Sequence, residues 1–406
     1  MRDRLLFGAK SFASLSLAAL LSCSSPGCAH DDAVPQKHAD VIRHLSVYQS
    51  PSEYCAWPSM ARTPEGDLIV LFTRSEEHLG PDGAILLSRS SDNGKTWLAP
   101  ILVLDSPIDD RESGITMLRD GRIIGHFWST YWTKEVYAKL PSNSYRRDVL
   151  ERWVARVERP EYRNAGKVSG GWEAVSSDGG RSWSELRRGF DSVHGGIELL
   201  TGGLLLASYR TTRDSILVHE ADSAMGSWRF IASLVPRQSD SVGFAEPHML
   251  QLPSGRVIMM IRATPRAYDD QDAKAVLWES YSDDNGKTWA VPFATPLWGV
   301  PPHLILLSDG RVLCTYGYRR PPYGQRGCLS SDGITWDLRG ELILRDDAPN
   351  GDLGYPASVE LEPGVVLTVY YQANVPLGAT QQMSPPDPER TKPGILGTVW
   401  KVPPRR

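Results

Sequence analysis

The feature that most constrains the fold is a repeat in which an apolar run ends at a glycine turn and continues as a second apolar run. The six turn glycines are Gly66, Gly121, Gly203, Gly255, Gly310 and Gly364. They are separated by 55, 82, 52, 55 and 54 residues. Six hairpins at this nearly constant period predict an all-β fold, a six-bladed β-propeller. The single long interval predicts an insertion around residues 131–172, of a size that suits a loop or a small helical lid.

A second motif, Ser-x-Asp-x-Gly-x-Thr/Ser-Trp, alternates with the glycine turns. Complete copies occupy residues 90–97, 176–183 and 282–289, a shortened copy occupies 330–336, and a degenerate copy ends at Trp228. In such a turn the aspartate accepts backbone N–H bonds, the glycine takes a positive φ and the tryptophan fills the space between strands. The motif resembles the Asp-box of sialidase-type propellers. That resemblance implies a structural role on the outer rim of each blade rather than a part in catalysis.

Composition narrows the function classes. The net charge of −4 and the pI near 6.2 leave no basic stripe, so we expect no nucleic-acid partner. No Cys-x-x-Cys pair occurs, and nothing specifies a zinc site, so we expect no metal and no other cofactor. Cys314 and Cys328 are interpreted either as a disulfide or as two buried thiols.

The N-terminus reads as an export signal. A short charged start precedes a mostly apolar stretch at residues 5–21, which Lys10 interrupts. The segment resembles a bacterial lipoprotein leader, residues 1–23, with Cys23 as the acylated residue; simple secretion is the alternative. Residues 24–40 then form a polar tether, and residues 41–406 form the propeller. We expect an exported monomer, periplasmic or at the cell surface, that meets a membrane only through a lipid anchor at Cys23.

The repeat also provides a register for the functional site. Nine residues before each turn glycine, the chain enters the inner strand of a blade, next to the central channel. The six residues at this position are Trp57, Glu112, His194, Glu246, Pro301 and Tyr355. Two glutamates, a histidine and a tyrosine at equivalent positions favour a ligand site, although strand ends are also polar simply because they are wet.

Four arginines follow the glycine turns at nearly equivalent positions. Arg210 and Arg262 stand seven residues after their glycines, and Arg74 and Arg319 stand one or two residues further on. A guanidinium group binds a carboxylate through two parallel hydrogen bonds, so this set predicts an anionic substrate. At least one of these arginines is expected only to neutralise a neighbouring acid.

Residues 45–375 resemble the bacterial and viral exo-sialidases in their Asp-boxes and blade order. That family uses three arginines for the substrate carboxylate, a carboxylic general acid/base, and a tyrosine nucleophile assisted by glutamate. The resemblance implies Tyr355 as nucleophile and Glu246 as its base, with Arg262 sixteen residues further on. It implies Glu112 as acid/base, with Asp110 as second choice. The remaining carboxylate ligand would be Arg319 or else Arg326.

One departure from the family concerns the substrate. The family's first carboxylate-binding arginine is replaced here by Ala56, and its supporting glutamate by the sequence Tyr370-Tyr371-Gln372. Losing both partners together indicates a remodelled pocket. Arg74 or Arg111 is a possible replacement. We therefore expect a retaining exo-glycosidase that releases a terminal acidic sugar such as sialic acid. The alternatives are a uronate-directed hydrolase or lyase and a non-catalytic glycan-binding lipoprotein.

Overall fold

The computed structural model describes residues 37–140, 145–209, 215–236, 242–265, 276–373 and 392–405. These residues form six sheets of four or five strands, arranged as the blades of a six-bladed propeller. The predicted fold class is therefore confirmed. The predicted leader, with Cys23, lies outside the described residues, as does most of the predicted tether.

The strands run in chain order, and each blade begins at the channel. Two strands precede the first blade: β1, Lys37–His38, and β2, Asp40–Tyr48. Blade I contains β3 Tyr54–Arg62, β4 Leu68–Ser75, β5 Ala84–Ser90 and β6 Ile101–Leu104. Blade II contains β7 Asp109–Met117, β8 Ile123–Thr130, β9 Gly170–Ser176 and β10 Arg187–Arg188. Blade III contains β11 Ile197–Glu198, β12 Leu204–Ser208, β13 Ile216–Ala221 and β14 Arg229–Leu234.

The second half of the ring repeats this plan. Blade IV contains β15 Val242–Gln251, β16 Val257–Pro265, β17 Val276–Ser282 and β18 Phe293–Trp298. Blade V contains β19 Pro302–Leu306, β20 Val312–Tyr318, β21 Gly324–Ser330 and β22 Leu342–Arg345, and β1 pairs in parallel with β22. Blade VI contains β23 Gly354–Glu362, β24 Val365–Ala373 and β25 Pro393–Lys401.

The ring is closed by the N-terminal part of the chain. Strand β2 pairs antiparallel with β25 and so supplies the outer strand of blade VI. The first strands of the blades contact one another in order around the ring, and β23 contacts β3. Closure by two ends of the chain removes the exposed sheet edges that an open array would leave. The glycine-turn spacing predicted six blades but not this join.

Each complete Asp-box is a capped hairpin turn, as the motif predicts. In the first copy, Asp92 accepts hydrogen bonds from the backbone N–H groups of Lys95 and Thr96 at 3.0 and 2.9 Å. It also accepts the Thr96 hydroxyl at 2.6 Å. Asp178, Asp284 and Asp332 repeat the bond to the hydroxyl four or three residues further on. These boxes lie in turns that leave the third strand of a blade, far along the chain from the channel-lining strand.

The insertion is a small helical layer between β8 and β9. It contains α1 Lys134–Tyr137, α2 Arg147–Val157 and α3 Pro160–Asn164, followed by a 3₁₀ turn at Ala165–Val168. Val149, Trp153 and Val157 recur at the spacing of one helix face and are buried. They pack with Tyr137 and Tyr162 into a core of their own. No helix within the described ranges is long and apolar enough to cross a membrane.

Candidate active site

Four of the register residues share an unusual backbone conformation. Trp57, Glu112, Glu246 and Tyr355 have φ values of 54, 55, 45 and 50°. Each lies at a β-bulge where the first strand of its blade loses register with the second. Within the described residues the other non-glycine positive-φ residues are two asparagines of Asp-box turns. Strain of about 1–3 kcal/mol for such a residue persists only where surrounding structure imposes it, and it clusters at functional sites.

The centre of the site is a tyrosine–glutamate–arginine cluster. The Tyr355 hydroxyl donates a hydrogen bond to Oε1 of Glu246 at 2.7 Å. Arg262 donates from Nη1 to both oxygens of Glu246, at 2.8 and 2.7 Å. The three residues come from blades IV and VI, and both Glu246 and Tyr355 are buried. The glycine-turn register selected Glu246, Arg262 and Tyr355 from the sequence, and the fold brings their side chains into contact.

The cluster fixes the charge state of its members. Burial alone would raise the pKa of Glu246, but the Arg262 guanidinium, together with the hydrogen bonds from Arg262 and Tyr355, holds it below its ordinary value. Burial and the negative Glu246 raise the pKa of Tyr355 well above its ordinary value. The phenol is therefore neutral and the carboxylate ionised, an arrangement in which the carboxylate can accept the phenol proton.

Arg319 and Tyr209 complete the inner shell. The positive charge of Arg319 lowers the pKa values of both Glu246 and Tyr355, and its Nε donates to the Leu353 carbonyl at 3.0 Å. Tyr209 is buried, and burial followed by the charge of Glu246 raises its pKa. The Tyr209 hydroxyl donates to Oε2 of Glu112 at 3.4 Å. Tyr209 thus links Glu112 to the Glu246 cluster, a role that the sequence analysis missed although Tyr209 directly precedes Arg210.

The two acid/base candidates occupy different environments. Glu112 lies at the bulge, beside Tyr209. Asp110 is fully buried and accepts hydrogen bonds from the Ser106 backbone and from the hydroxyls of Ser106 and Ser129. Burial raises the pKa of Asp110 to about 6. Because Ser106 and Ser129 occupy the oxygens of Asp110, Glu112 is the better placed of the two to meet a ligand as the acid/base candidate.

One wall of the site is aromatic and cationic. The Trp57 ring lies 6.5 Å from the Tyr355 ring, centroid to centroid. The guanidinium of Arg111 lies 4.3 Å from the centroid of Trp57 and 5.6 Å from that of Trp132, which belongs to the insertion. Trp132 Nε1 and Arg111 Nη1 both donate to Oδ2 of Asp109, at 2.7 and 3.2 Å. The insertion therefore contributes directly to this wall.

The region of the missing arginine is filled by a different network. Ala56 is fully buried, and Tyr371 stands 5.9 Å from the Tyr355 ring. Tyr371 and Tyr54 donate their hydroxyls to Asp352. Burial opposes ionisation of Asp352, but His78 and these hydroxyls outweigh it and lower its pKa to about 2. An aspartate thus carries negative charge beside the position where the resemblance implies positive charge.

His194, which the register also selects, lies in a layer of three histidines. His194 is buried, with its ring 5.1 Å from that of His248 and 5.8 Å from that of His303. The Nδ1 atoms of His248 and His303 accept backbone N–H bonds from the next blade. Burial lowers the pKa values of all three imidazoles. This layer ties blades together and shows no arrangement for a metal: within the described ranges no cluster of His, Cys, Asp or Glu suits one.

Three predicted arginines lie outside the cluster or outside the described chain. Arg74 forms an ion pair with Glu53 at 3.6 Å. Its neighbour Thr73, on the opposite face of β4, accepts the Glu112 backbone N–H. Arg326 is fully buried, donates to the Arg345 carbonyl and lies 4.4 Å from the Tyr318 ring centroid. Arg210 lies outside the described residues.

Comparisons with known proteins identify the family. Residues 159–367, a little over half of the chain, match the model of the BNR repeat-like domain. The chain therefore belongs to the BNR repeat-like domain family. No curated protein matches the sequence.

Solved structures share the fold at low identity. A Dyadobacter fermentans protein of unknown function is 22% identical over 89% of this chain and 99% of that one, with a TM-score of 0.67. The intramolecular trans-sialidase from Ruminococcus gnavus is 12% identical over 86% of this chain and 96% of that one, with a TM-score of 0.57. The NanB sialidase from Streptococcus pneumoniae is 13% identical over 88% and 70%, with a TM-score of 0.58. These structures show that the chain shares the six-bladed propeller fold of proteins that include sialidases.

Proposed function

We propose that the protein is a retaining exo-glycosidase that releases a terminal acidic sugar, such as sialic acid, from glycans. The observation that carries the proposal is the buried hydrogen bond from Tyr355 to an ionised Glu246, which Arg262 holds in place. Buried ionised groups at a channel mouth are typical of functional sites.

The proposed reaction uses the cluster in two steps. The Tyr355 oxygen attacks the anomeric carbon and its proton passes to Glu246, while Glu112 protonates the departing glycosidic oxygen. Water, deprotonated by Glu112, then displaces Tyr355 from the anomeric carbon, and Glu246 returns the proton to the phenol oxygen. A neutral phenol suits a sugar whose anomeric carbon bears a carboxylate, because a carboxylate nucleophile would be repelled. Arg262 and Arg319 are the proposed ligands of that carboxylate, and Trp57 offers a stacking face.

The network around Asp352 favours a second candidate substrate. The negative charge of Asp352 beside Tyr371 disfavours a carboxylate on that side and favours a hydroxyl or amide group. A substrate other than ordinary N-acetylneuraminic acid fits this wall, for example a uronate-containing glycan that turns hydroxyl groups, and not its carboxylate, towards Asp352. A glycan-binding protein without hydrolytic activity is the remaining alternative, and it would bind its glycan against the same wall.

The deciding experiment compares two tyrosine variants on fluorogenic glycosides. The wild-type protein, Tyr355→Phe and Tyr370→Phe are assayed with 4-methylumbelliferyl glycosides of N-acetylneuraminic acid, deaminated neuraminic acid, glucuronate and rhamnose. Tyr370 is the matched control, since it is also buried but shares its hydrogen bond with the Thr398 hydroxyl within its own blade. We expect Tyr355→Phe to lower kcat at least about a thousandfold on one acidic glycoside, with Tyr370→Phe near wild type.

Three results would contradict parts of the proposal. Full activity of Tyr355→Phe would exclude the tyrosine nucleophile. Release of an unsaturated product that absorbs in the ultraviolet would replace hydrolysis by elimination. Binding of an acidic glycan that remains uncleaved after long incubation would leave only the glycan-binding role.

A further inference from the structure

A cavity lies between the insertion and blade I. It has a volume of about 260 Å³ and is lined by helix α2 and by the loop that joins β4 to β5. The loop contributes Glu76 and Asp82, and the helical side contributes Arg152, Arg156 and Arg159. Arg152 and Arg156 are four residues apart on helix α2 and so share one face of it, and Arg159 lies at the extended turn between α2 and α3.

Only one of the three arginines is neutralised. Arg152 donates to Glu76 and Asp148, and Trp153 donates to the other oxygen of Glu76 at 2.9 Å. Arg156 has a buried Nε without a hydrogen-bond partner. In the part of the chain that the structure describes, no carboxylate forms an ion pair with Arg156 or Arg159. The guanidinium groups of Arg156 and Arg159 therefore offer donors to a ligand.

The carboxylate that faces these arginines does not balance them. Asp82 accepts the backbone N–H of Glu76 at 3.1 Å, and burial raises its pKa although Arg156 lowers it. With the Glu76–Arg152 pair neutral, Asp82 provides one negative charge against the two positive charges of Arg156 and Arg159. An unpartnered guanidinium nitrogen in a partly enclosed, net positive cavity is the ordinary setting for a bound carboxylate.

A continuous wall joins this cavity to the proposed nucleophile. Gly83, next to Asp82, packs so closely on Asp109 that a Cβ there would stand 2.1 Å from its Oδ1. Asp109 binds Arg111 and Trp132. Arg111 lies over Trp57, whose ring faces Tyr355. This chain of largely buried contacts links the lining of the cavity to the Tyr355 site.

We propose that this cavity is a second subsite, in which Arg156 and Arg159 bind a further carboxylate of an oligomeric acidic glycan. The inference rests on the proposed function for its substrate class, since it places the first acidic sugar at Tyr355. It makes the insertion a recognition element for the part of the substrate that is not cleaved. The preferred substrate is then an acidic oligosaccharide rather than a single acidic sugar on a neutral carrier.

The test compares a long and a short acidic substrate. Wild type, the Arg156→Gln/Arg159→Gln double variant and Arg147→Gln are assayed with a tetramer of α2,8-linked sialic acid and with the 4-methylumbelliferyl monosaccharide glycoside. Arg147 is the matched control, because it lies on the same helix but is almost fully exposed and pairs with Glu151. We expect the double variant to raise KM for the tetramer about tenfold, with the monosaccharide constants unchanged.

The outcome separates this inference from the proposed function. An unchanged KM for the tetramer in the double variant, or an equal rise in Arg147→Gln, would overturn the subsite. If wild type cleaves neither substrate, the proposed function fails, and calorimetric titration of the tetramer into Tyr355→Phe with and without the two arginine changes decides the subsite. Weaker binding only when the arginines are replaced supports it, and equal or undetectable binding in both proteins overturns it.

Discussion

The Glu246–Arg262 pair is expected to contribute strongly to the stability of the propeller as well as to its chemistry. Replacing Glu246 with Gln leaves the partly buried Arg262 without a counter-charge and weakens the acceptor of the Tyr355 hydroxyl. Breaking a buried ion pair costs about 3–5 kcal/mol. We expect about 3 kcal/mol here, because the Arg262 side chain keeps 22% exposure and Gln still accepts a hydrogen bond. Arg262→Met should cost a similar amount.

The assay is a double-mutant cycle followed by urea unfolding at neutral pH. The Glu246→Gln/Arg262→Met double variant should lose at least about 2 kcal/mol less than the sum of the single variants. The exposed Asp120–Arg122 pair, treated the same way, should couple by less than about 1 kcal/mol. Additivity of the two site variants within about 0.5 kcal/mol would refute the reasoning.

The pH dependence of the same variants provides a check on sign. The folded-state pKa of Glu246 lies below the ordinary value of 4.5, so the folded protein binds this proton less readily than the unfolded chain. The stabilisation is therefore complete above about pH 4.5 and is lost as the pH falls through the lower folded-state pKa. Wild type should lose stability on acidification more steeply than Glu246→Gln, and parallel profiles would contradict the assignment.

Two further predictions concern the blades themselves. Glu279 accepts a hydrogen bond from the Trp336 indole N–H, and burial raises its pKa to about 8. The free energy of unfolding of the wild type should therefore fall as the pH rises from 4.5 to 8. The difference from Glu279→Gln in urea unfolding should reach up to about 1.4 kcal/mol per pH unit, and equal slopes would refute a shifted carboxyl. Gly195 has a φ of +88°, and a Cβ there would lie 2.1 Å from the Ile115 carbonyl oxygen of the preceding blade, whereas Gly255 has a φ of +91° and open space around it. In the same assay Gly195→Ala should therefore cost about 1–3 kcal/mol more than Gly255→Ala, and equal costs would exclude the inter-blade contact as the reason.

The sequence predicted most of the fold because its repeats are local. A turn glycine and an Asp-box report on residues within one hairpin, so their spacing gave six blades and the channel-facing register directly. The same register named Glu246, Arg262 and Tyr355 before the structure joined them. The register also selected Trp57 and Glu112, which share the bulged, positive-φ backbone of Glu246 and Tyr355.

Register alone did not decide which way these arginine side chains point, because strand alternation and side-chain partners decide it. Arg74 stands one residue after the position that faces Glu112, so its side chain leaves the opposite face of β4 and pairs with Glu53. Arg326 fits the family spacing but is enclosed by blade V. Tyr209 was missed because a tyrosine beside an arginine carries no sequence signal of its own.

The sequence by itself determined the blade number, the Asp-box turns and the residue types at the channel mouth, because each follows from contacts between residues close in the chain. Only the tertiary structure decided that β2 closes blade VI, that Asp352 and two tyrosines occupy the region of the missing arginine, and that the insertion sets Trp132 against Asp109 and three arginines around a cavity at the β4–β5 loop. These arrangements join residues from different blades. Their energies depend on burial and on charges brought together across the ring, which no local pattern records.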